Sequence, residues 1–490
     1  MPSARHFALS CNLIPVPKSG DEIVTSLWAQ LWAVFLVLVF GAGCAHAQNA
    51  PRLITTPARV LDGDSLSIRA TGLPPGTRVT IHVQSTGTGD DGAPVPYYSR
   101  ATYVADARGT VDLAVSAPVE GDYASADLHG LFWSQLPLTA DSARLRAISV
   151  LSLDAPRSIP VGQDVLTLEV GGAIRSRTVV TIAPGDSGVV TDAVRTDSLV
   201  GVFYHQPRSG KLPPIIALSG SGGGTDVGDW LGPRLASRGF AVLGINYFSP
   251  PESPVPGVAT VLVGIPLELI ERARAWLASR PDVDTSRIGI LGYSKGAELA
   301  LLSAATYDWV RVVVAYAPPD YVWQGIRRGP GPAASSWTRG GRDLPFLPTT
   351  GSREEFARGR QSGGKIYLAR VARDNLTAAS AEMLDAAAIP IERSAAAILL
   401  IGGDDDQLWD SGASVKRLET RLERARYPHP HQALRYPLAG HALLGTGWHP
   451  TTEDNADAIQ NGGTAEADER AQADAWPRVI AFLQRVLRAR

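Results

Sequence analysis

The sequence predicts a two-domain α/β protein, a small all-β sandwich of immunoglobulin-like type followed by a doubly wound α/β domain. Three observations predict it. The chain has 490 residues, long for one domain and comfortable for two. Short β-rich runs alternating apolar and polar residues occupy 52 to about 160. From about residue 197, near-continuous apolar runs alternate with helical stretches.

In chain order, residues 1–47 read as a targeting segment. Leu27 to Phe40 is an apolar stretch of signal-peptide length, short for a membrane span. Ala45-His46-Ala47 follows as a small-residue cleavage pattern, so an exported, periplasmic or cell-envelope protein is expected. Gly41-Ala42-Gly43-Cys44 offers Cys44 as an alternative lipid anchor, and a retained N-terminal anchor is the remaining reading. Runs such as Ser65–Arg69 and Val79–Val83, punctuated by Asp62-Gly63-Asp64, Pro74-Pro75-Gly76 and Arg108-Gly109, make 52–160 the sandwich. The second domain is expected over 187–490. Its strands are Pro214–Leu218, Ala241–Ile245, Ile288–Leu291, Val312–Tyr316 and Ala397–Ile401, apolar enough to be buried on both faces of a parallel sheet. Leu267–Ala278 and Glu298–Tyr307 fit crossover helices. The stretch from Pro319 to Ile389 is irregular and rich in Gly, Arg and Pro, an insertion that either caps a binding site or is a surface loop.

Composition excludes several classes. Hydrophobic residues make up 44%, charged residues 19%, and the formal net charge is −2. Such a chain packs rather than staying disordered, and it carries no basic excess for nucleic acid. The two cysteines, Cys11 and Cys44, both precede Gln48. The body therefore has no disulfide, cysteine nucleophile or thiolate metal site. No metal or cofactor is expected, and membrane association only through the N-terminal segment.

Gly292-Tyr293-Ser294-Lys295-Gly296 matches G-x-S-x-G directly after a strand and before a helix. That setting is what the nucleophile elbow of an α/β-hydrolase requires, and it makes Ser294 the candidate nucleophile. Such a serine needs a base, and the base an orienting group. Gly402-Gly403-Asp404-Asp405-Asp406 follows one strand, and Ala439-Gly440-His441 follows the strand-like Ala433–Pro437. The order Ser…Asp…His is met, with the acid open within the Asp run. His429, His431 and His449 lie in a Pro-rich connection or past the expected turn, and His82, His129 and His205 precede the core. The loop Gly220–Gly224 follows the strand Pro214–Leu218. Backbone N–H groups of Ser221 and Gly222, with that of Lys295, are the candidate oxyanion hole. The loop lacks the G-K-[ST] ending of a phosphate loop.

These stretches resemble the acyl-CoA thioesterase and bile acid-CoA:amino acid N-acyltransferase family, in its bacterial branch. The resemblance covers roughly residues 55 to 490. It is carried by Ala70–Gly76, Asp127–Ser134, Gly220–Gly224, Ile265–Glu268, Gly292–Glu298, Asp405–Trp409, Gly440-His441 and the end from Ala475-Trp476 to Phe482-Leu483. It implies a β-sandwich before an α/β-hydrolase domain and a Ser294–Asp406–His441 triad cleaving acyl thioesters. The acid three residues before Trp409 selects Asp406, with Asp405 as the alternative because the run holds an extra Asp. Members that conjugate amino acids use Cys where this chain has Ser294. A small acyl thioester or ester is the implied substrate. The alternatives are an exported carboxylesterase or peptidase of the same fold, an acyltransferase to an amino acid, and a hydrolase fold that has lost activity.

Overall fold

The computed structural model describes residues 50–89, 92–138, 159–208, 210–327, 331–361 and 363–488. The expected targeting segment 1–47, with Cys44, lies outside the described residues. Among these, no helix is long and apolar enough to cross a membrane.

The β domain consists of two facing sheets. Arg52–Thr56, Ser67–Thr71 and Val111–Asp112 form a three-stranded sheet. The larger runs Arg59–Leu61, Ala173–Ala183, Gln163–Val170, Arg78–Thr88, Pro94–Val104 and Glu120–Gly121, with Leu136–Pro137 also on Pro94–Val104. Ile68, Val79, Ile81, Val83, Tyr103, Leu166 and Leu168 fill the space between, one face of each alternating strand turned inward. The domain runs on to Ala183, past the expected end near 160, because the hairpin Gln163–Ala183, turned at Gly171-Gly172, zips onto Arg78–Thr88.

The α/β domain is built on an eight-stranded sheet. In spatial order its strands are Val190–Arg195, Val200–His205, Ala241–Ile245, Pro214–Leu218, Ile288–Tyr293, Val310–Tyr316, Ala397–Gly403 and His431–Tyr436. The first two are antiparallel; from Ala241–Ile245 onward every pairing is parallel. The apolar runs are continuous because both faces are covered. Ile216, Leu218 and Leu243 face the helices Glu268–Ala278, Lys295–Thr306 and Ser411–Arg424, whereas Ile215, Ala217 and Val242 face Asp226–Ser237 and Ala465–Arg488. This is the α/β-hydrolase fold.

The described residues after Tyr316 form an insertion with strands and helices of its own. Trp337–Arg339 and Arg342–Asp343 join Ile265-Pro266 in a small sheet, and the helices Ser352–Gln361, Leu368–Ala378 and Ala381–Ala387 follow. Trp323, Leu347, Ala372 and Ala387 make its own small core, with Trp409 packed against them.

Candidate active site

The order of parallel strands reverses at Pro214–Leu218, which lies between Ala241–Ile245 and Ile288–Tyr293. Chain segments leaving the carboxyl ends of strands on either side of such a reversal diverge and leave a crevice. The loop Gly220–Gly224, Ser294, Asp406 and His441 each follow the carboxyl end of a strand of this sheet.

Ser294 joins the strand Ile288–Tyr293 to the helix Lys295–Thr306 with φ 58° and ψ −120°. A residue with a Cβ rarely adopts this conformation, at a cost of roughly 1–3 kcal/mol. The surroundings enforce it. The Ser294 N–H donates to the Tyr316 carbonyl at 2.9 Å, and the Ser294 carbonyl accepts from Ala297 N–H at 2.9 Å. The flanking glycines are steric necessities, since a Cβ on Gly292 would stand 2.1 Å from the Gly296 carbonyl oxygen, and one on Gly296 2.2 Å from that of Leu218. The helix begins at Lys295, earlier than the expected Glu298, because the elbow itself supplies its first turn. Lys295 N–H is therefore one of the unpaired donors of a helix N-terminus, beside the serine.

His441 Nδ1 lies 2.8 Å from Asp406 Oδ2. Burial raises the pKa of Asp406, but His441, Ser411 and the Leu408 N–H outweigh it and hold the carboxyl below its ordinary range. Asp406 is thus a carboxylate and accepts, so Nδ1 donates and Nε2 of the neutral ring carries the lone pair. Nε2 is buried and has no hydrogen-bond partner among the described residues. The structure therefore joins Asp406 to His441 but does not join Ser294 to His441 by a hydrogen bond. Such contacts often tighten only in a substrate complex. Tyr293, the neighbour of Ser294, packs its ring 5.2 Å from the imidazole and donates its hydroxyl to the His441 carbonyl at 3.1 Å. Ser294 and His441 are 3% and 2% exposed, a low-dielectric setting in which charge interactions are strong.

The neighbours in the Asp run are engaged elsewhere. Asp405 accepts from Gln407 Nε2 at 2.7 Å and from Gly463 N–H at 3.1 Å, and Asp404 pairs with Arg435. The remaining oxyanion candidates lie on the first turn after the strand Pro214–Leu218. Ser221 and Gly222 are exposed, Gly223 and Gly224 N–H are used by the Gly220 and Phe248 carbonyls, and a Cβ on Gly220 would stand 3.1 Å from that of Ser294. Among the described residues, Asp127, His129 and Glu469 have metal-ligand spacing. Asp127 already accepts from His129 N–H and Trp133 Nε1, and His129 pairs with Glu469 at 2.8 Å, which accounts for the group as a contact of the β domain with the last helix.

Sequence reasoning missed two features. The Lys295 side chain is buried, bonding Glu298 at 2.8 Å and Ser336 Oγ at 2.8 Å. Glu298 in turn accepts from Trp323 N–H and Trp337 Nε1. Burial pushes the lysine pKa down and the glutamate pKa up, each opposed by the other's charge. This pair ties the insertion to the elbow; the i,i+3 spacing of Lys295 and Glu298 was its only signal. The second is Asp468, whose Oδ1 accepts from Gly440 N–H at 2.6 Å, immediately before His441. Burial, with Asp454, Asp405 and Asp406 nearby, pushes its pKa up to about 8. The unfolded chain then releases this proton near pH 4 and the folded one near pH 8, so the contribution of Asp468 to stability falls as pH rises through that window. Asp468→Asn keeps the acceptor and cannot titrate. Its melting temperature is expected to gain on wild type from about pH 4 to about pH 8; parallel melting curves across this range would disprove the assignment.

Comparison with known proteins agrees with this architecture. The model described as "BAAT / Acyl-CoA thioester hydrolase C terminal" matches residues 265–489, and "Acyl-CoA thioester hydrolase/BAAT N-terminal region" matches 63–163. The chain belongs to this family. Acyl-coenzyme A amino acid N-acyltransferase 2 of Rattus norvegicus is 29% identical over 442 residues, 89% of this chain and 98% of the relative. Acyl-coenzyme A thioesterase 6 of Mus musculus is 28% identical over 438 residues, 86% of this chain and 94% of the relative. Acyl-coenzyme A thioesterase 5 of Mus musculus is 29% identical over 433 residues, with the same coverage. The family therefore includes both thioester hydrolases and amino acid acyltransferases, and the chain is an enzyme of it.

Proposed function

We propose that the protein hydrolyses acyl thioesters through an acyl-enzyme on Ser294. The observation that carries this reading is the 2.8 Å Asp406–His441 bond, with His441 packed against Tyr293, the neighbour of a serine held on a strained elbow. Ser294 Oγ attacks the acyl carbonyl carbon while His441 Nε2 takes its proton. The oxyanion is met by backbone N–H groups of Lys295 and of the Ser221-Gly222 turn. Collapse breaks the C–S bond, and the imidazolium returns its proton to the departing thiolate. Water, deprotonated by His441, then attacks the oxygen ester and releases the carboxylic acid and Ser294.

The N-acyltransferase relatives favour one other reading, transfer of the acyl group to an amino acid. The chemistry of the intermediate argues for water. An acyl group on Ser294 is an oxygen ester, less reactive towards amines than the thioester a cysteine would form, and the sequence has no cysteine beyond Cys44. With an acyl-CoA and excess glycine or taurine, mass spectrometry is expected to find free acid as the main product. A dominant N-acyl amino acid would overturn hydrolysis in favour of transfer. Matched thioesters and oxygen esters of graded chain length decide the substrate class; inert thioesters beside active oxygen esters would make the protein a carboxylesterase. An export signal at 1–47 would set the enzyme apart from cytosolic CoA, so the thioester bond rather than its carrier is the proposed specificity.

A further inference from the structure

The chain that leaves His441 does not stay in its own domain. Leu443 is buried against the sheet, and Thr446, five residues after the histidine, donates its hydroxyl to Asp62 Oδ1 in the β domain. His449 Nε2 lies 2.7 Å from Asp62 Oδ2. Between them Trp448 is sunk into the core of the β domain, edge-on to Phe132 at 5.0 Å and to His129 at 4.2 Å, with its Nε1 on the Asp64 carbonyl. The tether continues through Thr451 N–H on the Trp133 carbonyl and Thr452 Oγ1 on the Gln135 carbonyl.

Asp62 is the centre of this seam. It is 1% exposed, and its backbone N–H is held by the Ala183 carbonyl of the same domain. Its carboxylate also takes Arg234 Nε at 2.9 Å, from the helix Asp226–Ser237 of the hydrolase domain. Burial opposes the charge, but His449 and Arg234 outweigh it and keep the carboxyl well below its ordinary pKa. The adjoining Gly63 has no room for a side chain, because the Trp476 ring of the last helix fills the place of its Cβ. A buried charge with donors from two hydrolase elements has one geometry that satisfies it, so it fixes their relative position.

We propose that Asp62 is a positioning residue for His441, and that the β domain serves the reaction by holding the far end of the histidine loop. The near end is held within the hydrolase domain, by Asn461 on His441 N–H and Asp468 on Gly440 N–H. With both ends anchored, the imidazole keeps its place over the elbow although it makes no hydrogen bond to Ser294. The proposal rests on the catalytic reading of His441 given above.

The test is a mutant cycle on full-length protein with an activated aryl thioester, which leaves a measurable rate when the base is removed. Asp62→Asn is expected to lower kcat by about 10²-fold with KM unchanged, the scale of a misplacement of about 1 Å. Thr446→Val, which removes one bond and no charge, should fall between it and wild type. Asp64→Asn, on the same turn but with its side chain bonded to Arg238 while the histidine loop meets only its backbone carbonyl, should behave as wild type. In a His441→Ala background Asp62→Asn should cost nothing further, because a residue acting through the imidazole has nothing left to act on. A wild-type kcat in both Asp62→Asn and Thr446→Val would overturn the proposal, as would losses that multiply with His441→Ala. If Asp62→Asn does not fold, Thr446→Val alone and in the His441→Ala background decides by the same criteria. A fully active His441→Ala would instead refute the catalytic reading, so the two failures are distinguishable.

Discussion

Ser294→Ala is expected to lower kcat for thioester hydrolysis by about 10⁶-fold, the scale seen when the nucleophile of a serine–histidine–aspartate unit is removed. The substitution takes away only the hydroxyl. Alanine carries the same Cβ through the same φ of 58°, and the Tyr316 and Ala297 backbone bonds do not involve the side chain, so folding is expected to be unchanged. The loss is large because the proposed covalent route begins at that oxygen. Steady-state kinetics and labelling by a serine-directed fluorophosphonate check it together. Turnover within about tenfold of wild type would mean that water attacks the thioester directly, with Ser294 a bystander.

Asp406→Asn is expected to cost about 10⁴-fold in kcat, and Asp405→Asn little. In the first variant the side-chain carbonyl would keep an acceptor for the Leu408 and Trp409 N–H groups, which Asp406 Oδ1 now receives at 2.8 and 3.2 Å. The new amide NH₂ would face His441 Nδ1 and donate where the carboxylate accepted. Nδ1 must then be the unprotonated nitrogen, and Nε2, carrying the proton, loses the lone pair that receives the serine proton. In the second variant the amide oxygen can still accept from Gly463 N–H, and its NH₂ can donate to the Gln407 side-chain oxygen once that amide turns over, without touching the imidazole. Equal losses in the two variants, or a larger one at Asp405, would contradict this assignment.

The parts of the fold legible in the sequence are those where one local signal suffices. Pro214–Leu218 and Ala241–Ile245 are strands with the expected bounds, because runs apolar on both faces have nowhere to lie but the centre of a covered parallel sheet. The insertion was legible only as irregular. Its helix Ser352–Gln361 is largely charged and buries little beyond Glu355 and Gly359, so no apolar stripe announces it. The hairpin Gln163–Ala183 alternates like any strand pair, and only its pairing with Arg78–Thr88 says to which domain it belongs.

The division at the site follows the same physics. By itself the sequence determined the elbow, since G-x-S-x-G between an apolar strand and a helix is a local steric requirement, and it determined the order of serine, acid and histidine along the chain. It left the acid open between Asp405 and Asp406. Only the tertiary structure decided that Asp406 bonds His441, that Lys295 and Glu298 are buried as a pair, and that Asp62 reaches the loop beyond His441. A hydrogen bond has a direction and a reach of about 3 Å. Which of two adjacent carboxylates meets a histidine 35 residues away, or a threonine 384 residues away meets Asp62, depends on how the sheets and loops are packed, not on any period in the chain.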